Sequence, residues 1–323
     1  MNDGGADQMA KTPLDADTAA FLAQIVEAGA DPITAGTPDE ARAANAEFLA
    51  QVGIDPVDIE EVAAVEIPGP AGAIPARRYR DGAAEAIVVY FHGGGWVLGD
   101  LEGHDPLCRL LASETVAEVV NVNYRHAPED PFPAAVDDAY AALEWAAGEA
   151  AGRPIVVAGD SAGGNLAAAV ALRARDEGGP EIALQALLYP VLDVDLTTAS
   201  YDAYGEGHLL LRDDMAWFVD KYLTDPAQRA HPYVAPLRAE TVAGVAPAYL
   251  AVGGYDPLLD EGLAYAERLN GAGVEVRLRN YEQFIHGFLT MPKAIPSTQR
   301  AIDEVVADLG ELIGAAAGAR QSA

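Results

Sequence analysis

Hydrophobic positions follow two rhythms along the chain, and the change between them divides it. Leu14, Thr18, Phe21, Leu22 and Ile25 recur at helical spacing, and a second helix is signalled by Thr37 as N-cap, Pro38 in the first turn and Glu40 three residues after the cap. That helix is expected to end near Gly53. From residue 62 the pattern becomes that of strands: Val62 to Ile67, Ile74 to Tyr79, and the wholly apolar Ala86 to Phe91. A strand that is apolar on both faces belongs in the centre of a sheet covered by helices on both sides.

The alternation then continues. The pattern predicts helix 105–115, strand 117–123, helix 133–148, strand 154–158, helix 162–176, strand 183–189, strand 247–252, helix 259–270, strand 274–280 and helix 297–314. Strands and helices alternating in this way imply an α/β fold with a mostly parallel, doubly wound sheet. Residues 193–237 break the rhythm: they show no strand pattern, yet contain Tyr201, Tyr204, Trp217, Phe218 and Tyr222. About 45 residues exceed an ordinary crossover, so this stretch reads as an insertion with its own task. The polar residues 1–12 are expected to fray, and Ala315 to Ala323 to form a solvated tail.

Composition narrows the possible partners. With 20 Lys plus Arg against 50 Asp plus Glu, the 323-residue chain carries a formal charge of −30, which argues against a nucleic-acid or anionic-membrane partner. Lysine occurs only at Lys11, Lys221 and Lys293, a pattern that fits either a compositional bias or a surface kept hydrated in high salt. Half of the residues are hydrophobic, which excludes whole-chain disorder, and the length suits one large α/β unit. Cys108 is the only cysteine, so no intrachain disulfide can form; its apolar helical neighbours point to a buried structural thiol. The N-terminus has Asp3 and Asp7 and no apolar run, and no stretch reaches the roughly 18 apolar residues of a membrane span. Cytoplasmic residence is the expectation.

The chemistry gathers at three points. The strand Ile155 to Ala158 runs into Gly159-Asp160-Ser161-Ala162-Gly163-Gly164 and then into a helix. A nucleophile elbow holds its serine in a strained backbone conformation, and the residues two before and two after must be nearly free of side chain for strand and helix to close. The start of that helix also turns the N–H of Ala162 and the positive end of the dipole toward an oxygen that becomes negative. A serine needs a base, and the base an orienting acid. His286, in Phe284-Ile285-His286-Gly287-Phe288, and Asp256, in Gly254-Tyr255-Asp256-Pro257-Leu258, both follow predicted strands at the same sheet edge as Ser161. Asp260 and Glu261 compete with Asp256 but fall inside the following helix. His104, His126, His208 and His231 lack a strand leading into them and read as solvent-facing or locally bonded. The six histidines make no metal-ligand spacing, so no metal is expected.

The third point is His92-Gly93-Gly94-Gly95-Trp96, directly after the apolar strand 86–91. Consecutive glycines let backbone N–H groups face a cavity. A phosphate loop would need a following Gly-Lys-Ser/Thr and would leave the serine elbow unexplained, whereas an oxyanion hole uses both. His92 then reads as a hydrogen-bonding residue under the loop.

Together with Tyr124-Arg125-His126-Ala127-Pro128-Glu129 and Asp256-Pro257-Leu258-Leu259-Asp260-Glu261-Gly262, these motifs resemble the hormone-sensitive-lipase-like family of α/β-hydrolase esterases, bacterial family IV, over roughly residues 60–315. The resemblance implies an eight-stranded mostly parallel sheet with helices on both faces. It implies a core of residues 54–192 and 238–323, and a cap from residues 1–53 and the 193–237 insertion. It further implies Ser161 as nucleophile, His286 as base, Asp256 as orienting acid, and Gly94, Gly95 and Ala162 as oxyanion donors. The expected substrate is a small-molecule ester with a short to medium acyl chain, with no cofactor, and a homodimer is plausible. His126 departs from the family, which more often has a bulky aliphatic residue there. An amidase or lactonase would keep the same triad; a non-catalytic receptor would be expected to lose His286.

Overall fold

The computed structural model describes residues 12–29 and 32–321. Two helices open the described chain, α1 (Ala16–Ala28) and α2 (Pro38–Val52). The start of α2 is the capping box expected from its sequence: Glu40 N–H donates to Thr37 Oγ1 at 3.3 Å, and Thr37 N–H donates to the Glu40 carboxylate at 2.9 Å. A hairpin follows, β1 (Glu61–Gly69) and β2 (Gly72–Arg80), and then the alternating part of the fold. This comprises β3 (Ala86–Phe91), α3 (Asp105–Glu114), β4 (Ala117–Val122), α4 (Ala134–Glu149), β5 (Ile155–Asp160), α5 (Ala162–Glu177) and β6 (Leu184–Leu188). Between β6 and the next strand lie α6 (Ala199–Tyr204), α7 (Arg212–Tyr222) and two short 3-10 turns, with no strand among the described residues. The chain closes with β7 (Ala248–Tyr255), α8 (Leu259–Gly271), β8 (Val276–Ile285) and α9 (Gln299–Gln321).

The eight strands form one sheet in the order β1-β2-β4-β3-β5-β6-β7-β8. β1, β2 and β4 pair antiparallel in succession, and every pair from β4–β3 onward is parallel. Alternate residues of each central strand enter different cores, as a two-residue side-chain period requires. Ile87, Val89 and Phe91 pack with Val157, Leu143, Leu166 and Val170 under α4 and α5. Val88 and Tyr90 pack with Val156, Leu107, Leu111, Ile302 and Val305 under α3 and α9. Both faces of β3 and β5 are therefore buried, which is why their sequences are continuously apolar.

A third, smaller core joins the N-terminal helices to the end of the sheet. Phe21 and Val52 pack with Ile285, Met291 and Ile295. Arg42 of α2 reaches further in: its Nε donates to Val97 O at 2.9 Å and its Nη2 to Ala127 O at 3.0 Å, while Glu129 pairs with the same guanidinium. From the insertion, Tyr222 stacks on Trp96 with ring centroids 4.3 Å apart.

Three expectations change. The tail expected from Ala315 is helical to Gln321, with Ala317 buried, because alanine is the strongest helix former and α9 already has a sheet face to lie on. Strand β8 continues to Ile285 and not to about 280; its Arg277 and Arg279 project toward Asp308 of α9, which hides the strand pattern. His104, expected to be solvent-facing or locally bonded, is buried against β3 and β5. Residues 1–11, expected to fray, lie outside the described residues, while the carbonyl of Thr12 accepts from Tyr255 Oη at 2.9 Å. Among the described residues, no helix is long and apolar enough to cross a membrane.

Candidate active site

Strand register brings the separate motifs together. Tyr255 of β7 pairs with Ile285 of β8, so the residues that follow, Asp256 and His286, leave the sheet side by side. Phe91 of β3 pairs with Gly159 of β5, so His92-Gly93 and Asp160-Ser161 likewise leave together. All four segments emerge at the carboxyl edge of the parallel strands, where such sheets form their clefts.

Ser161 stands between β5 and α5 with φ 54° and ψ −119°, a region that non-glycine residues rarely occupy. The packing around it explains the small neighbours. A Cβ on Gly163 would lie 1.9 Å from Phe91 O, and one on Gly159 would lie 2.4 Å from the Gly163 carbonyl carbon. Strand and helix therefore touch backbone to backbone at these two positions. The bend is pinned by Ser161 N–H donating to Leu188 O at 2.8 Å and by Val191 N–H donating to Ser161 O at 3.1 Å. The Ser161 side chain makes no capping bond to its helix, which leaves the hydroxyl available.

That hydroxyl meets His286, whose Nε2 is 3.0 Å from Ser161 Oγ. On its other side His286 Nδ1 lies 2.7 Å from Asp256 Oδ2. Asp256 is 1% exposed, and its Oδ1 accepts from Leu258 N–H at 2.8 Å. A carboxylate at Nδ1 favours the tautomer with its proton there, which turns the Nε2 lone pair toward the serine. The ring is held edge-on by Tyr189, and Phe288 packs on Tyr189, Tyr281 and Phe284 to anchor the turn after His286.

The structure brings Asp256 to His286 and uses the other two acids elsewhere. Asp260 accepts from Ser200 N–H at 2.8 Å and Glu261 from Leu192 N–H at 2.7 Å, so both fasten α8 to the start of the insertion. Burial pushes the Glu261 carboxyl well above the usual carboxylate range.

The glycine loop turns tightly at the same edge. Gly94 and Gly95 have φ 123° and 59°, and Gly94 O accepts from Leu98 N–H at 2.7 Å. Gly93 spends its N–H on Asp160 Oδ1 at 2.9 Å. The N–H groups of Gly94, Gly95 and Ala162, by contrast, donate to no acceptor among the described residues. Buried or half-buried donors are normally paired, so these three stand out, and they lie on the turns that follow β3 and β5 at the same sheet edge as Ser161.

His92 lies beneath this loop, as its position suggests. It is buried, stacks on Tyr124 with centroids 4.5 Å apart, and has Nδ1 2.9 Å from Gly93 O. Burial, aided by the charge of His104, pulls it down to about 4, so it is neutral near pH 7. His126 sits edge-on to both His92 and Tyr124, and burial pulls it down to about 3; here it acts as packing. The contribution of Asp160, Tyr90 and His104 beneath the loop is not evident from spacing. The available signal is an acid placed between the elbow glycine and the serine.

A mostly parallel sheet with a serine elbow, and with a histidine and an aspartate leaving adjacent strands at the same edge, defines an α/β-hydrolase. Residues 88–290 match the family model described as the α/β hydrolase fold. The chain belongs to that family, in its hormone-sensitive-lipase-like branch of esterases. It is 48% identical over 255 residues to the carboxylic ester hydrolase LipN of Mycobacterium tuberculosis, covering 75% of this chain and 66% of that one. It is 36% identical over 314 residues to the ethyl acetate hydrolase of Pseudomonas putida, covering 91% of this chain and 97% of that one. Among solved structures it resembles the ester-hydrolase EH1AB1 from the metagenome of Lake Arreo, with TM-score 0.89 and 36% identity over 93% of this chain and 99% of that one.

Proposed function

We propose that this protein is a serine carboxylesterase for short to medium acyl esters, with Ser161 as nucleophile, His286 as base and Asp256 as the acid that orients it. The observation that carries this reading is the unbroken hydrogen-bonded line from Ser161 Oγ through His286 to Asp256, at 3.0 and 2.7 Å. Names carried by the relatives, carboxylic ester hydrolase and ethyl acetate hydrolase, agree with it.

In this reading Ser161 attacks the ester carbonyl while His286 Nε2 takes its proton. The new oxyanion accepts from the N–H groups of Gly94, Gly95 and Ala162. Collapse expels the alcohol, which leaves with the proton from His286, and an acyl group remains on Ser161. Water, deprotonated by His286, then attacks the acyl carbon; the second oxyanion collapses, breaking the bond to Ser161 Oγ and freeing the carboxylic acid, while His286 gives its proton back to Ser161. Asp256 holds the histidine tautomer and stabilises the imidazolium without itself taking the proton.

The two N-terminal helices and the 193–237 insertion act as a cap. Phe218 of α7 supports this role, since its ring fills the position that a Cβ on Gly95 would take, 2.3 Å from the ring carbon. A ring against the oxyanion loop walls the space beside the reacting carbonyl and favours shorter acyl chains. The formal charge of −30 favours uncharged esters over anionic ones and speeds departure of the carboxylate product.

The test is hydrolysis of a chromogenic acyl series by wild type and by Ser161→Ala. Release by the wild type, greatest for short to medium chains and absent in the variant, is the expected result. Activity that survives in Ser161→Ala, or no hydrolysis of any ester by wild type, would overturn the assignment.

A further inference from the structure

Asp160, directly before Ser161, is buried, and its carboxylate lies flush against the glycine loop. Oδ1 accepts from Gly93 N–H at 2.9 Å and from Tyr90 Oη at 2.8 Å. A Cβ on Gly93 would come within 2.4 Å of Oδ2. The carboxylate thus grips the first N–H of the loop, and the next two, at Gly94 and Gly95, are the open ones. A buried carboxylate one residue from the nucleophile also carries a penalty. Its negative charge opposes the oxyanion that forms at the same loop, and in a water-poor site that repulsion is weakly screened.

No lysine or arginine contacts Asp160 among the described residues. The ionisable groups facing it are Tyr90 and His92 of β3 and its following loop, His104 at the N-cap of α3, Tyr124 after β4 and Tyr189 after β6, with Asp100 and Cys108 nearby. His92 is held neutral by its burial. His104 remains: it is 4% exposed, and its Nε2 lies 3.3 and 3.4 Å from the two Asp160 oxygens. Although burial works against the imidazolium, the charges of Asp160 and Asp100 outweigh it and raise the affinity of His104 for its proton. Asp160 in turn is pushed up by burial, but the His104 charge and the bonds from His104 and Tyr90 hold it below the ordinary carboxylate range.

We propose that His104 is a positioning residue for the ester-cleaving reaction: its Nε2, within 3.4 Å of both Asp160 oxygens, sets a proton against the buried carboxylate and offsets its charge, so that this carboxylate can anchor the oxyanion loop through Gly93 without opposing the oxyanion. The inference rests on the reading of Ser161 as nucleophile. The role of His104 is electrostatic and indirect, through Asp160.

The experiment compares His104→Gln, Asp160→Asn and the double variant with wild type on one chromogenic short-chain ester. Fold is checked by near-UV circular dichroism, and kcat is expressed per folded molecule. Glutamine keeps a donor toward Asp160 but removes the charge, so His104→Gln is expected to lower kcat by about tenfold or more while KM stays within about twofold. In the double variant the bond to Gly93 survives with no charge left to cancel, and kcat is expected to recover to within about threefold of wild type. A wild-type kcat in His104→Gln, or a double variant no faster than His104→Gln, would show that the histidine only packs. If His104→Gln does not fold, the double variant alone decides, because the proposal requires it to be folded and active. Ser161→Ala separates the two levels: if it stays active the esterase reading falls, whereas if it is dead and His104→Gln equals wild type, only the role of His104 falls.

Discussion

The contact between the elbow helix and strand β3 can be broken with a single methyl group. In Gly163→Ala the new Cβ would stand 1.9 Å from Phe91 O, 2.5 Å from Phe91 C and 2.7 Å from His92 O, all of them backbone atoms that cannot rotate aside. Contacts of a real Cβ essentially never fall under 3.0 Å, so α5 and β3 must separate by about 1.1 Å. Overpacking of this kind costs about 3 kcal/mol. For a chain of 323 residues that corresponds to a loss of roughly 4–5 °C in Tm. The separation also has a direction that matters. α5 carries Ala162, whereas β3 leads into Gly94 and Gly95, so the displacement pulls apart the donors proposed to share one oxyanion. Misplacement by about 1 Å is enough to lower turnover roughly 100-fold. Gly148 is the control: it lies exposed in α4, its φ is negative, and a Cβ there would meet nothing within 4 Å, so Gly148→Ala should raise stability by about 0.5–1 kcal/mol and leave kcat unchanged. Thermal melts and ester turnover on both variants are the assay. A Gly163→Ala protein as stable and active as wild type would refute the backbone-contact argument.

Asp256→Asn should lower kcat by about 10⁴-fold with KM little changed, because asparagine can accept from or donate to Nδ1 and leaves the wrong tautomer possible; a loss under about tenfold would remove its orienting role. Phe218→Ala should raise kcat/KM for a longer acyl chain relative to a short one by about tenfold, measured across a chromogenic series, and an unchanged profile would clear Phe218 of setting chain length. For pH, Asp308 is held below the usual carboxylate range by its bond with Arg279, against some opposition from burial. Its folded value is the lower one, so its stabilising contribution is present above the unfolded pKa of about 4 and is lost as pH falls through the folded value. Asp308→Asn should therefore be less stable than wild type at pH 6 and show a flatter acid limb in urea unfolding; parallel curves would contradict the pairing.

Sequence made the centre of this molecule legible because two constraints coincide there. Ala86–Phe91 and Ile155–Asp160 are buried on both faces, and the turns after them need glycines wherever backbone meets backbone, as at Gly159 and Gly163. The edge was harder to read. In β8 one face carries Arg277 and Arg279, which pair with Asp308 of α9, and the other carries the exposed Leu278, Asn280 and Glu282, so the strand loses its apolar pattern well before Ile285. The end of α9 reads as a tail because Ala315 to Ala317 lack large apolar groups, yet Ala317 is buried. The place of His104 is hidden for a different reason. Its burial follows from the way α3 folds back onto β3 and β5, a tertiary arrangement with no local signature. Ser161, Asp256 and His286 stand out in the sequence because each directly follows a strand, while the place of His104 beneath Asp160 depends on where a helix start happens to land.

The covalent acyl intermediate proposed on Ser161 separates this mechanism from its alternatives. Its most direct test is a pre-steady-state mixing experiment with a p-nitrophenyl ester, followed by acid quench and peptide mass spectrometry. A burst of about one nitrophenolate per chain, with the acyl mass found on the peptide bearing Ser161 and absent from His286→Ala, is the result expected. An acyl group on another residue, or undiminished turnover in Ser161→Ala, would contradict it.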